Sequence, residues 1–245
     1  MLIRQDLCVG CGRCQPFCPV RAIHFEGLKS TVDQEVCYEC GTCLRSEVCP
    51  VEALEESPHV FEYPRALRKF FSDPTATHAL TGIAGRGTEE SKSNDVINRV
   101  VPGEVGMAIE FGRPTLGMDV TNIQKVTRAM AKAGFTDIEP ENPFNDMIQN
   151  HETGDLKPEL MGEKVLSAIM EFKVKPDQVA LALRTIKAAA KEVDSVFVVD
   201  LYTRLEPGLT IPKHIVKAIE AEGYTRRPNA KVNMGLGRAN KRKDS

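Results

Sequence analysis

The chain of 245 residues has no cysteine after Cys49 and no apolar run approaching the roughly 18 residues that a membrane helix requires. Its first segment, MLIRQDLCVG, lacks the apolar stretch and the small-residue cleavage site of a secretory signal. We therefore expect a cytoplasmic chain in a reducing compartment, where clustered thiols are more often metal ligands than disulfides. All eight cysteines lie between Cys8 and Cys49, so any chemistry that needs sulfur is confined to the first fifth of the chain.

The cysteines form two runs with nearly the same spacing. The first run is C-x2-C-x2-C-x3-C followed by Pro19, and the second is C-x2-C-x2-C-x5-C followed by Pro50. Three thiolates two residues apart on a tight loop can reach three corners of one iron–sulfur cube, whereas structural zinc typically takes its ligands as two separated pairs. Gly10, Gly12 and Gly41 allow the loops to close around sulfur. A degraded [3Fe–4S] cluster and a zinc-filled site are the alternatives.

The two runs resemble the bacterial two-cluster ferredoxins over residues 1–57. The segment Pro19-Val-Arg-Ala-Ile after the first run matches Pro50-Val-Glu-Ala-Leu after the second, which indicates an internal duplication. In that family the fourth cysteine of each run ligates the other cluster. The second run departs from the pattern, because Leu44–Val48 is two residues longer than the usual spacer. The resemblance implies two [4Fe–4S] clusters, one held by Cys8, Cys11, Cys14 and Cys49 and the other by Cys37, Cys40, Cys43 and Cys18.

Residues 58–103 have no sustained helical or strand periodicity, and turn-forming residues are frequent. We predict an extended connector with a short amphipathic piece near Arg65–Phe71, wrapped over the second domain or over another subunit. The glycine-rich stretch from Gly82 to Glu90 matches no phosphate-binding pattern, so a flexible loop is the favoured interpretation. The five histidines are scattered, and we expect each of them at the surface.

Residues 104–223 carry alternating strand and helix patterns that predict one further domain. The predicted segments are a strand at Val105–Phe111, a helix from Val120 to Ala133 capped by Asp119, strands at Thr136–Pro140 and Lys164–Val174, a helix beginning at Pro176, a strand at Ser195–Arg204 and an extra helix beginning at Pro212. This order is that of the βαββαβ ferredoxin-like sandwich, an antiparallel sheet with two helices on one face. The predicted fold class is therefore α+β, with a dicluster ferredoxin fold followed by a βαββαβ sandwich.

The predicted sandwich resembles the ACT- and NIL-like regulatory domains in its topology, and a group of archaeal proteins joins a related domain to a dicluster ferredoxin. Residues 224–245 form a basic segment with seven basic residues and one acid, whereas residues 1–57 have five basic residues and nine acids. No aromatic stacking platform accompanies the basic charge. A flexible solubilising or docking tail is therefore favoured over nucleic-acid binding.

The resemblance to ferredoxins implies electron transfer, by a dedicated ferredoxin or by the electron-transfer subunit of an anaerobic oxidoreductase complex. The expected partner is a redox enzyme or catalytic subunit. No flavin, nicotinamide or molybdopterin motif is present, so we expect no catalysis by the chain itself. Two alternatives stay open: a redox- or metabolite-responsive regulator that uses the ACT-like domain, and an accessory that supplies electrons for reductive sulfur metabolism.

Overall fold

The computed structural model describes residues 1–79, 82, 99–113, 116–208 and 210–225. The glycine-rich stretch beyond Gly82 and the basic segment from residue 226 onward lie outside the described residues. Among the helices of the described ranges, none combines the length and the apolar character needed to cross a bilayer.

The N-terminal module, residues 1–57, contains two antiparallel strand pairs and one short helix. Its elements are β1 (Leu2–Ile3), β2 (Ile23–Glu26), β3 (Lys29–Val32), α1 (Thr42–Arg45) and β4 (Leu54–Glu55). Strand β2 pairs with β3 and β1 pairs with β4, so that Ile23 lies opposite Val32 and Leu54 lies opposite Ile3. Ile23 and Leu54 occupy matching places after the two cysteine runs, so the strand pairs repeat the duplication seen in the sequence.

Helix α2 (Ala66–Ser72) lies within the segment predicted as an extended connector, and every one of its residues is buried. Leu67, Phe70 and Phe71 belong to the same apolar cluster as the sheet that follows. The helix lies where the short amphipathic piece was predicted, near Arg65–Phe71, and its three large apolar side chains are removed from water in that cluster.

The C-terminal unit, residues 104–225, is built on three antiparallel strands in the order β10-β5-β11. Helices α3 and α4 contact each other and share one core with the inward side chains of β5, including Met107 and Ile109. The elements of this unit are β5 (Val105–Phe111), β6 (Met118–Asp119), α3 (Val120–Lys132), β7 (Ile148–Asn150), β8 (Asp155–Leu156), β9 (Lys164–Val165), β10 (Ala168–Val174), α4 (Val179–Ala189), β11 (Phe197–Thr203) and α5 (Lys213–Ala221).

The first predicted helix of this unit is confirmed, and its cap is the predicted one. The carboxylate of Asp119 accepts a hydrogen bond from the main-chain N–H of Asn122 at 2.8 Å. The strand predicted at Thr136–Pro140 is reduced to a single bridge between Ile138 and Phe172.

The strand predicted at Lys164–Val174 is divided into β9 and β10 by Leu166 and Ser167. The N–H of Leu166 donates to the Ser72 hydroxyl, and the N–H of Ser167 donates to the main-chain oxygen of Phe71, both at 3.0 Å. Both acceptors belong to α2, so helix α2 takes the hydrogen bonds that would otherwise continue the strand.

The prediction that all five histidines lie at the surface is wrong for His78, which is 2% exposed. Its ring packs against Phe70 and Phe71, with centroid distances of 5.2 and 5.9 Å. Its Nε2 lies 3.5 Å from the carboxylate of Asp146. The two α2 aromatic rings bury the imidazole and the carboxylate supplies a polar partner, which together make burial of a histidine tolerable.

The predicted basic tail begins with a residue that packs on the C-terminal unit. The Tyr224 hydroxyl donates to the main-chain oxygen of Leu183 in α4 at 3.3 Å. The ammonium of Lys187 lies 5.3 Å from the centre of the Tyr224 ring. This tyrosine therefore belongs structurally to the C-terminal unit.

Candidate iron–sulfur sites

Two cavities lie in the N-terminal module, and four cysteines line each of them. The outer cavity is lined by Cys8, Cys11, Cys14 and Cys49. The inner cavity is lined by Cys18, Cys37, Cys40 and Cys43. The fold thus brings the fourth cysteine of each run to the three leading cysteines of the other run. None of the eight thiols is in a disulfide.

In the described ranges, no group of three or more His, Cys, Asp or Glu side chains is arranged to hold a single metal ion.

The loops that carry the leading cysteines depend on glycine. Gly10 and Gly12 have φ values of +69° and +67°, in the left-handed region that favours glycine. A Cβ on Gly10 would lie 2.0 Å from the main-chain oxygen of Leu28. The first loop therefore closes against the β2–β3 hairpin only because this position has no side chain.

Main-chain amides point at the fourth cysteine of each run. The N–H of Ala22 donates to the sulfur of Cys18 at 3.1 Å, and the N–H of Ala53 donates to the sulfur of Cys49 at 3.2 Å. Each alanine stands four residues after its cysteine, so this contact is duplicated along with the sequence. Amide donors of this kind stabilise sulfur that carries negative charge, as it does when it binds iron.

The two cavities differ in their exposure to solvent. Cys37, Cys40 and Cys43 of the inner cavity are buried, whereas Cys11 of the outer cavity is exposed. Burial, reinforced by the neighbouring sulfurs of Cys40, Cys37 and Cys18, raises the pKa of the Cys43 thiol to about 12. Cysteine binds iron as the thiolate. The positive charge of bound iron would offset both the cost of burying these thiolates and the repulsion between them.

Positively charged side chains from α2 and α1 approach the inner cavity from its buried side. The guanidinium of Arg68 donates to the main-chain oxygen of Cys37 at 2.8 Å and also pairs with Glu163 of the C-terminal unit. Arg45 donates to the main-chain oxygen of Cys40 at 2.8 Å and pairs with Asp73 at 2.7 Å. The inner cavity is therefore fixed to the rest of the chain by hydrogen-bonded ion pairs.

Three exposed apolar side chains lie beside the loop that carries the leading cysteines of the outer cavity, and one of them, Val9, also lines the cavity. Leu28 is 90% exposed, Val9 is 64% exposed and Phe25 is 50% exposed. We call these three residues the outer rim. A Cβ on Gly12 would lie 3.0 Å from the Phe25 ring, so the rim borders the loop that carries Cys11.

Ser30 was not predicted as a site residue, although it lines the outer cavity. It is 1% exposed, and its hydroxyl has no hydrogen-bond partner in the described part of the chain. An unpaired buried hydroxyl is unfavourable, so this one fits a cavity that holds a group with acceptor atoms. Arg68 and Glu163 were also missed, because their approach to the site depends on how α2 and the C-terminal unit pack.

The first 67 residues match the family described as 4Fe-4S dicluster domain. A ferredoxin, Fdx2, of Sorangium cellulosum is 36% identical over 69 residues, which are 26% of this chain and 67% of that protein. A ferredoxin of Pyrobaculum islandicum is 31% identical over 72 residues, which are 29% of this chain and 65% of that protein. One subunit of an ion-translocating oxidoreductase complex of Methanosarcina acetivorans is 40% identical over 48 residues, which are 20% of this chain and 17% of that protein.

The chain thus spans only 17% of the Methanosarcina protein and about two thirds of each ferredoxin. No solved structure matches it. Two cysteine-lined cavities and these relatives define the class of the N-terminal segment: it is an iron–sulfur electron-transfer module. Through this segment the chain belongs to the 4Fe-4S dicluster ferredoxins.

Proposed function

We propose that the chain is a dedicated ferredoxin or the electron-transfer subunit of an oxidoreductase complex, with two [4Fe–4S] clusters in its N-terminal module. Cys8, Cys11, Cys14 and Cys49 hold the cluster of the outer cavity, and Cys37, Cys40, Cys43 and Cys18 hold the cluster of the inner cavity. Bound clusters of this type accept and release single electrons. The observation that carries the proposal is the grouping of all eight free thiols around two cavities.

The unequal exposure of the cavities supports different roles for them. The outer cavity is bordered by exposed Cys11 and by the outer rim, so a partner protein can approach it closely. The inner cavity is lined by the buried Cys37, Cys40 and Cys43, and Arg68 of α2 links Cys37 to Glu163 of the C-terminal unit. In this proposal the cluster of the outer cavity exchanges electrons with a partner protein. The cluster of the inner cavity exchanges electrons with a partner that binds at the C-terminal unit.

The partner is proposed to be a redox enzyme or a catalytic subunit that performs the chemistry. The Methanosarcina relative is a subunit of an oxidoreductase complex, which supports assembly with further subunits. The free thiols of all eight cysteines support a reducing compartment, which for this chain would be the cytoplasm.

We further propose that the C-terminal unit is a βαββαβ sandwich of the ACT- or NIL-like type. The order β11-β5-β10 and the bridge from β10 to Ile138 support this, since the bridge stands where the second strand of that fold would pair. The proposed domain limits are residues 1–57 for the ferredoxin module, 58–103 for the connector, 104–223 for the sandwich with its extra helix and 224–245 for the basic tail.

The experiment that tests the cluster assignment compares Cys11→Ala and Cys43→Ala with the unaltered chain, purified anaerobically. The unaltered chain should carry about eight irons and show two interacting paramagnets in its EPR spectrum after reduction. Each variant should lose about half of its iron, and the interaction signal should disappear. A variant that keeps the full iron content and the interaction signal would show that the altered cysteine is not a ligand.

A further inference from the structure

The side chain of Ser30 is a buried polar group of the outer cavity that the ligand assignment leaves unexplained. Ser30 lies in β3, and its hydroxyl is buried without a hydrogen-bond partner in the described ranges. It lines the cavity together with the four cysteines Cys8, Cys11, Cys14 and Cys49. A buried hydroxyl is normally paired, so this donor is available to an acceptor in the cavity, either the sulfur of a cysteine that lines it or an atom of a bound group.

The internal duplication provides a comparison within the same molecule. Cys8 corresponds to Cys37 with an offset of 29 residues, and the same offset relates Met1 to Ser30. Met1 lines the inner cavity as Ser30 lines the outer one. A methionine thioether has no proton to donate, so the two cavities differ at this matched position in whether the side chain can donate a hydrogen bond.

We propose that Ser30 is a positioning residue whose hydroxyl donates a hydrogen bond to a sulfur of the outer cluster, either the Cys14 sulfur or an inorganic sulfide. This inference rests on the proposed function, because it requires a cluster in the outer cavity. Reduction adds one electron from the redox partner and makes the sulfur more negative, and a hydrogen-bond donor stabilises the more negative state. The hydroxyl therefore raises the reduction potential of the outer cluster, while the inner cluster has no such donor at the matched position.

The test uses the full chain with its clusters, titrated with dithionite and followed by EPR. A soluble paramagnetic chelate broadens the signal of the more exposed cluster and so assigns the outer one. Ser30→Ala should keep its iron, and the reduction equilibrium of the outer cluster should become about three- to tenfold less favourable, as expected for a lost hydrogen bond. A tenfold change corresponds to about 59 mV for a one-electron couple. The inner potential should stay unchanged.

A second readout detects the hydrogen bond itself. Electron–nuclear double resonance in D2O should reveal one exchangeable deuteron at the outer cluster that is absent in Ser30→Ala and restored in Ser30→Thr. If Ser30→Ala fails to bind the outer cluster, the similarly shaped pair Ser30→Thr and Ser30→Val provides the same comparison.

Equal outer potentials with and without the hydroxyl, or an unchanged deuteron coupling, would overturn the role of Ser30. An equal shift of both clusters would also overturn it. Failure of the unaltered chain to bind two clusters would instead overturn the proposed function, so the two failures are distinguishable.

Discussion

The guanidinium of Arg68 joins the main-chain oxygen of Cys37 to the carboxylate of Glu163, and thereby links the inner cavity to the C-terminal unit. The Arg68 side chain is 3% exposed and that of Glu163 is 14% exposed. The same guanidinium also donates to the main-chain oxygens of Gln34 and Glu35. One buried cation therefore satisfies carbonyl groups of the loop that carries the second cysteine run.

Replacing Arg68 with Met should destabilise the folded chain by roughly 3 kcal/mol, because it leaves the partly buried Glu163 carboxylate and the main-chain oxygen of Cys37 without their partner. Anaerobic chemical denaturation of the cluster-loaded protein measures this change. The control is Arg184→Met, which removes a guanidinium that is 65% exposed in its pair with Glu222 and should change stability little. Equal stability of Arg68→Met and the unaltered chain would contradict the link.

The outer rim should control electron exchange with proteins but not with small molecules. Leu28→Lys places a charge on an apolar surface, and the loss of about 2 kcal/mol of apolar burial should weaken partner binding on the order of thirtyfold. Stopped-flow oxidation by the co-purified partner, compared with oxidation by methyl viologen, measures the effect. Leu181→Lys alters another exposed leucine, in α4, and serves as the control. Equal slowing with methyl viologen would point to damage to the cluster.

Gly117 should be intolerant of a side chain because of its contact with the N-terminal module. Its φ is +73°, and a Cβ would lie 1.9 Å from the ring of Tyr38. Gly117→Ala should therefore lower stability by more than the roughly 1–2 kcal/mol that left-handed backbone alone imposes on alanine. Gly134 is the matched control, since its φ is +89° and nothing lies within 4 Å of the added Cβ.

The clash explanation is checked by adding Tyr38→Ala to Gly117→Ala. The double variant should recover the excess loss, and the unfolding midpoints of the four proteins in this cycle provide the measurement. Additive effects of the two changes would rule out a direct clash.

Asp146 should contribute stability that disappears in acid. Burial opposes its ionisation, but hydrogen bonds from His78, Tyr63 and Lys157 outweigh burial and hold the pKa of Asp146 well below its usual range. A carboxyl group with a depressed folded pKa stabilises the protein fully above its unfolded pKa, near 3.9, and loses that contribution as pH falls through the folded value.

Asp146→Asn should consequently destabilise the chain at neutral pH and make its stability less sensitive to acidification below about pH 4. Urea unfolding followed by far-UV circular dichroism across this range measures the difference. The control is Asp155→Asn, whose carboxylate is more exposed and pairs with Arg128. Parallel stability curves for Asp146→Asn and the unaltered chain would contradict the assignment.

Local chemistry made some of these features predictable from the sequence. The spacing of the cysteines encodes the clusters, because three thiols on one tight loop are neighbours whatever the rest of the fold does. Asp119 likewise predicts the start of α3, because the hydrogen bond of a helix cap lies within one turn of the chain. These signals need no knowledge of distant parts of the chain.

The features that escaped prediction all depend on contacts between residues far apart in sequence. Helix α2 supplies Ser72 and Phe71 to the main chain at Leu166 and Ser167, which divides a strand that its own pattern predicts as continuous. The burial of His78 likewise involves a distant partner, since the carboxylate of Asp146 lies 3.5 Å from its Nε2. Periodicity along one segment carries no information about which other segment will cover it.

The two cavities differ in how easily dioxygen reaches their sulfurs, because Cys11 is exposed whereas Cys37, Cys40 and Cys43 are buried. Oxidants from solution reach the sulfurs of the outer cavity first, since thiolate oxidation follows access. A preparation handled in air should therefore lose iron from one cavity and retain it in the other. Air-exposed protein would then have the iron content of a single-cluster protein. The native iron content therefore has to be measured on samples prepared without exposure to oxygen.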